Sequence, residues 1–214
     1  MNRVLLIGAG GLGAPVLRIL LEAGVRDLTV ADPDVVSLEN LHRQILYTDA
    51  DVGRGKAEIL TERFGVETIA ARIDATNGPA LIAGRSVVID GTDNFADKYR
   101  FNDLCLEADV PLVHAGGAQF RGQVLVVRRG GPCLRCLLPE PPNAETDECR
   151  VTGVFGPAVG TIAALAAADA IDILAGADSA GKLTMMDLAA GRLRRVALEA
   201  RPGCVCATVM ATQP

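Results

Sequence analysis

The chain has 214 residues, half of them apolar, with 21 Lys and Arg against 26 Asp and Glu, which suffices for one large core or two small ones. The net charge of -5 provides no broad positive field to draw in nucleic acid or an anionic membrane, so any phosphate must be held locally. The longest apolar stretch, Val154 to Leu174, is interrupted by Asp169 and Asp172; a spanning helix needs about 20 predominantly apolar residues, so a buried core helix is expected there.

Met1-Asn2-Arg3 leads directly into Val4-Leu5-Leu6-Ile7, an apolar run too short for a signal-peptide core, and a cytoplasmic location is expected. Val4–Ile7 and Leu28–Ala31 flank the Ala/Leu-rich segment Ala14–Ala23. This is the strand, glycine turn, helix, strand order of a nucleotide-binding unit. Val66–Ile73, Val87–Asp90 and Pro111–Ala115 predict further strands, and Arg54–Phe64 and Asn94–Ala108 predict helices. Beyond Ala115 the pattern changes. Gly122–Arg129 alternates as a strand, and Lys182–Asp187 and Arg192–Leu198 predict a hairpin around Ala189-Ala190-Gly191. Leu137 to Thr152 is proline-rich and lacks periodicity, which predicts a mobile loop about 15 residues long. The expected fold is one α/β domain over 1–214. A Rossmann-like, mostly parallel sheet fills about 1–116, and antiparallel strands with a zinc-bound part fill about 117–214.

Gly8-Ala9-Gly10-Gly11-Leu12-Gly13 places G-x-G-x-x-G directly after the first strand, where backbone N–H groups and a helix N-terminus can approach phosphate. Asp32 ends the next strand, placed to accept hydrogen bonds from ribose hydroxyls. Alone, these residues predict a nucleotide, and NAD or FAD is the commonest user of the fingerprint. The polar stretch that follows, Asp34 to Gln44 and then Asp51-Val52-Gly53-Arg54-Gly55-Lys56, is not required by a dinucleotide. Arg43 offers a bidentate donor set for phosphate oxygens and Lys56 a compact charge for a departing pyrophosphate; ordinary solvated charges are the alternative for both. Asp93, in Asp90-Gly91-Thr92-Asp93-Asn94 after a buried strand, could hold Mg²⁺ or cap the following helix.

The glycine loop, Asp32–Gln44, Asp51–Lys56, Gly91–Asn94 and Gly153–Gly160, in that order, resemble the ThiF/MoeB/HesA family of ubiquitin-activating-like enzymes over nearly the whole chain. The resemblance implies ATP-dependent adenylation, by a homodimer, of the C-terminal Gly-Gly carboxylate of a ubiquitin-like sulfur carrier such as ThiS or MoaD. It implies that Gly8, Gly10, Gly11 and Gly13 wrap the nucleotide and that Asp32 binds its ribose. Arg43 and Lys56 would hold phosphates, Asp93 would ligate Mg²⁺, and Asn40, Gln44 and Asn94 would line the same pocket. Relatives carry an N-terminal helix whose Arg reaches the partner's site. This chain begins almost at its first strand, so either another cation serves or activity is weaker.

Cys133-Leu134-Arg135-Cys136 and Cys204-Val205-Cys206 together offer four thiolates for tetrahedral Zn²⁺. The family has such a site, with a longer second half than Cys204-x-Cys206. A redox pair is the alternative for C-x-x-C, although Pro132 and the proline-rich loop do not suggest a thioredoxin-like unit. Cys105 falls in a helix's apolar pattern and reads as core. Cys149 lies where ThiF-like members place a cysteine that becomes linked to the carrier. Its neighbour Arg150 favours the thiolate, and an exposed, unremarkable cysteine is the alternative. The competing functions are an NAD-dependent oxidoreductase and a non-catalytic carrier-binding homologue. A family branch that adenylates a tRNA base is disfavoured by the acidic balance.

Overall fold

The computed structural model describes residues 2–141 and 153–206. Its centre is an eight-stranded sheet in the order β3-β2-β1-β4-β5-β6-β7-β8. Strands β1 (Val4–Ile7), β2 (Leu28–Ala31), β3 (Glu67–Ile69), β4 (Val87–Asp90) and β5 (Leu112–Ala118) are parallel. From β5 the sheet continues antiparallel through β6 (Arg121–Val127), β7 (Lys182–Asp187) and β8 (Arg192–Ala197). The parallel-to-antiparallel change read from the pattern around Ala115 thus falls at the β5–β6 turn. Strands β1, β2 and β4 are buried throughout, which is why they read as unbroken apolar runs rather than alternating ones.

The sheet separates two cores, and alternation along each strand divides its side chains between them. Val4 and Leu6 face one core, formed with α1 (Gly13–Glu22), α2 (Lys56–Phe64) and α6 (Gly156–Leu174). Leu5 and Ile7 face the other, with α3 (Gly78–Ile82), α4 (Phe95–Ala108) and the cysteine-bearing α5 (Leu134–Leu137). Helix α1 buries Val16, Leu17 and Leu20 while Arg18 and Glu22 pair across its wet face at 2.9 Å. Truncating a buried leucine such as Leu17 to Ala costs about 2–5 kcal/mol in this setting. By length and composition α6 is apolar enough to cross a membrane. Its Ile162, Ala163, Ala166, Ala167 and Ala170 are nevertheless packed in the first core, as expected for a core helix; the small residues let it lie close on the sheet.

Some expectations shift at their edges. Only Glu67–Ile69 of the expected strand Val66–Ile73 pairs, because the chain leaves the sheet to bring Ile73 into the second core. The short helix α3 carries no periodic window long enough to be read in advance. Strand β8 is an exposed edge, where Arg192, Arg194 and Arg195 discourage pairing with another chain.

Candidate functional site

The chain order reverses between β1 and β4, which are neighbours in the sheet although β2 and β3 lie between them in sequence. Ligands bind at such a switch point, outside the carboxyl ends of parallel strands. A cavity of about 1330 Å³ opens there and extends over the antiparallel strands. Of the residues singled out from sequence, Gly8, Gly10, Gly11, Asp32, Asn40, Arg43, Gln44, Lys56, Asp93 and Asn94 line it. Gly13 does not, but it shapes the wall. A Cβ on Gly13 would overlap the Gly8 carbonyl, and Gly8 itself holds φ +89°, a left-handed conformation that glycine adopts without strain. The loop can therefore turn directly into α1. Tyr47, not recognised from sequence, donates its hydroxyl to the Ala9 carbonyl at 3.0 Å and braces the loop from behind.

Asp32 accepts from the Ala9 N–H at 2.6 Å and the Asp34 N–H at 2.8 Å. Burial pushes its carboxyl above the ordinary value, against Lys56 and those two donors. Lys56 is not a solvated charge. Its side chain is 4% exposed, with Nζ 3.0 Å from Asp34 and 3.7 Å from Asp32. Arg43 and Asp93 form no ion pair among the described residues, which leaves a guanidinium and a carboxylate to face the cavity. Gln44 is buried with Oε1 lacking any hydrogen-bond partner among the described residues. A buried acceptor normally has a partner, so this atom calls for a donor from a ligand or a water. The segment carrying Arg43 and Gln44 is fixed to α2 by Asp51, which closes a capping box with Thr48 and receives Arg63 at 2.6 and 2.7 Å.

Helix capping falls to Asn94 rather than Asp93: its Oδ1 accepts from the Asp97 N–H at 2.8 Å. Below this turn lies a charged group that sequence reading missed. Asp90 is fully buried, with Oδ1 accepting from the Thr92 N–H and hydroxyl and Oδ2 lying 3.3 Å from Lys98 Nζ and 3.1 Å from His114 Nδ1. Burial opposes its ionisation, yet Lys98 and His114 hold the carboxyl well below the usual range. Burial and the Lys98 charge push His114 below the ordinary imidazole value, against the pull of Asp90. Lys98 also donates to the Ala115 carbonyl at 2.7 Å. The available signal was Lys98 itself, three and seven residues before the core residues Phe101 and Cys105 on α4.

The four cysteines gather elsewhere. The sulfurs of Cys133, Cys136, Cys204 and Cys206 lie within 4.8 Å of one another, a spacing suited to one tetrahedral metal ion. The one-residue gap between Cys204 and Cys206 does not prevent this. Burial pushes the Cys133 thiol up to about 11. At Cys136 burial is outweighed by backbone N–H groups of Cys133 and Arg201 and by the neighbouring thiols, which bring it down to about 7. Cys105 is a core residue, its thiol raised by burial. Cys149 lies outside the described residues.

The family model for the ThiF family matches residues 1–206. The chain belongs to the ThiF family. The SAMP-activating enzyme E1 of Haloferax volcanii is 39% identical to this ThiF-family chain over 216 residues, covering 96% of the chain and 80% of that protein. The sulfur carrier protein ThiS adenylyltransferase of Escherichia coli K12 is 38% identical over 219 residues, covering 96% and 86%. Among solved structures, E. coli MccB with ATP superposes with a TM-score of 0.81 over 97% of this chain and 67% of its own, at 23% identity, which speaks for the fold alone.

Proposed function

We propose that this ThiF-family chain is an adenylyltransferase that joins AMP to the C-terminal glycine carboxylate of a ubiquitin-like sulfur carrier, with ATP as donor and pyrophosphate as leaving group. The observation that carries the reading is the convergence in one cavity of residues from four separate segments: the glycine loop, Asp32 to Gln44, Lys56, and Asp93 to Asn94. An NAD reading accounts for the first and for Asp32 but gives Arg43, Lys56 and Asp93 no work.

In this reading the glycine loop and the start of α1 take the phosphates, and Asp32 takes the ribose hydroxyls. Arg43 grips phosphate oxygens, and Lys56 leaves Asp34 to meet charge on the departing pyrophosphate. Gln44 Oε1 finds its missing donor in the nucleotide, and Asn40 and Asn94 shape the same pocket. The carboxylate of Asp93, exposed to the cavity, suits an oxygen-seeking cation; bound there, Mg²⁺ would supply charge neutralisation beside the phosphates. The acceptor is a carboxylate already ionised at neutral pH, so the protein positions reactants and stabilises charge rather than moving a proton. Gly116 and Gly117 line the same cavity and, having no side chains, leave room there for the acceptor's chain end.

The four cysteines would hold Zn²⁺, closing the C-terminal part onto α5, and 1–214 acts as a single unit about one sheet. The chain works as a homodimer, for which Leu38 at 65% and Ile45 at 66% exposure supply apolar surface. Cys149 is left with the step after adenylation. Intact-mass spectrometry tests the reading: incubation with ATP, Mg²⁺ and a Gly-Gly-terminated carrier should add one AMP moiety to the carrier. A carrier whose mass never changes, or one that gains AMP when its terminal glycine is removed, would refute it.

A further inference from the structure

His114 stands where the charged end of the cavity gives way to its glycine floor. It pairs across the parallel strands with Asp90, is 2% exposed and forms part of the cavity wall. An ionised carboxylate only accepts, so Nδ1 carries the proton toward Asp90 Oδ2 at 3.1 Å. That tautomer leaves Nε2 as an acceptor, with no partner among the described residues. Two residues along β5, on the same face, Gly116 has no side chain; a methyl group placed there would lie 3.9 Å from Nε2. Apart from its chain neighbours, no other atom of the described residues lies within 4 Å of that methyl position, so the missing side chain leaves the space beside Nε2 open to a ligand.

The same face continues outward in register. Gly116 pairs with Gln123 on β6, Gln123 with Met185 on β7, and Met185 with Arg194 on β8, and all four line the cavity. This row runs from His114 to the open edge of the sheet, away from the glycine loop and Asp32, which belong to β1 and β2 on the other side of β4. A nucleotide held at β1 and β2 and an acceptor chain entering along β6–β8 therefore meet beside His114.

Resting on the adenylation reading, we propose that His114 Nε2 accepts the backbone N–H of the acceptor's terminal glycine and thereby aims its carboxylate at the α-phosphate. An acceptor-only nitrogen selects for a donor. It distinguishes an amide-linked terminal glycine from an ester-linked or N-alkylated terminus of the same size. Its contribution is orientation, because the carboxylate nucleophile needs no base.

The test uses two semisynthetic carriers, one natural and one with the terminal glycine replaced by glycolate, so that an ester oxygen stands where the N–H was. The readout is carrier-dependent ATP–pyrophosphate exchange. With the unaltered enzyme the ester carrier should lose about tenfold in kcat/KM, with KM for ATP unchanged, the size expected for one neutral hydrogen bond. His114→Asn keeps a group near Asp90 but none at the Nε2 position. It should show that loss with the natural carrier and no further loss with the ester, whereas His114→Gln should recover most of the natural rate. Equal use of both carriers by the unaltered enzyme, or equal ester losses in it and in His114→Asn, overturns the proposal while leaving adenylation standing. Absence of exchange with the natural carrier overturns the adenylation reading and this proposal with it.

Discussion

Lys98→Met is the sharpest perturbation available to this fold. The two side chains are similar in length, so the buried volume that Lys98 fills is largely kept while the ammonium is removed. At pH 8, Asp90, with its side chain 0% exposed, would retain only Thr92 and a neutral His114 as partners. Removing one member of a buried charge pair typically costs about 3–5 kcal/mol. For a domain of this size, about 2–4 °C accompanies each kcal/mol, so the melting temperature should fall by roughly 6–20 °C. Adding Asp90→Asn removes the stranded charge, and the double variant should melt above the single one. The loss should also depend on pH. Without Lys98 the imidazole no longer feels a neighbouring positive charge and answers to Asp90, so its folded-state pKa rises. Protonated His114 then replaces part of the lost charge at pH 6 and is lost as pH rises through the new value, making the defect larger at pH 8. Thermal unfolding followed by circular dichroism at both pH values measures this. A drop below about 2 °C, or a double variant no more stable than Lys98→Met, refutes the view that Asp90 is held ionised by this pair.

In the unaltered protein His114 is depressed relative to the unfolded chain. The unfolded state therefore binds its proton first, and this part of the stability is lost as pH falls below about 6.5. Guanidinium unfolding at pH 7.5 and pH 5.5 should show that loss, and His114→Gln should show less of it. Chelation of the cysteine cluster should release zinc, read by a metallochromic dye, and lower the melting temperature, with Cys206→Ser holding less metal from the start. Cys149→Ala should leave pyrophosphate exchange intact, because adenylation precedes any thiol chemistry; its loss would assign Cys149 to the first step.

The legible part of the sequence was the part under the simplest constraints. Strands β1, β2, β4 and β7 match their expected limits: β1, β2 and β4 are buried throughout and read as continuous apolar runs, and the turn at Ala189-Ala190-Gly191 fixes the end of β7. The glycine loop was visible because its conformation excludes side chains at Gly8 and Gly13. Asp90, Lys98 and His114 escaped notice because no spacing links them: strand register puts Asp90 beside His114, and only the docking of α4 brings Lys98 to both. The role of Tyr47 was hidden for the same reason, since a buried tyrosine reads as core until its hydroxyl is seen on the Ala9 carbonyl. The choice between Asp93 and Asn94 as helix cap turned on a single residue of offset, within the ordinary uncertainty of helix ends.

The most direct measurement is isotope exchange between labelled pyrophosphate and ATP, run with Mg²⁺ and a Gly-Gly-terminated carrier. Adenylation of the carrier predicts exchange that requires the carrier, requires its terminal glycine carboxylate, and disappears in Asp93→Ala while that variant still folds. Exchange that proceeds without any carrier, or none with carriers of the sulfur-transfer type at saturating ATP, would contradict it.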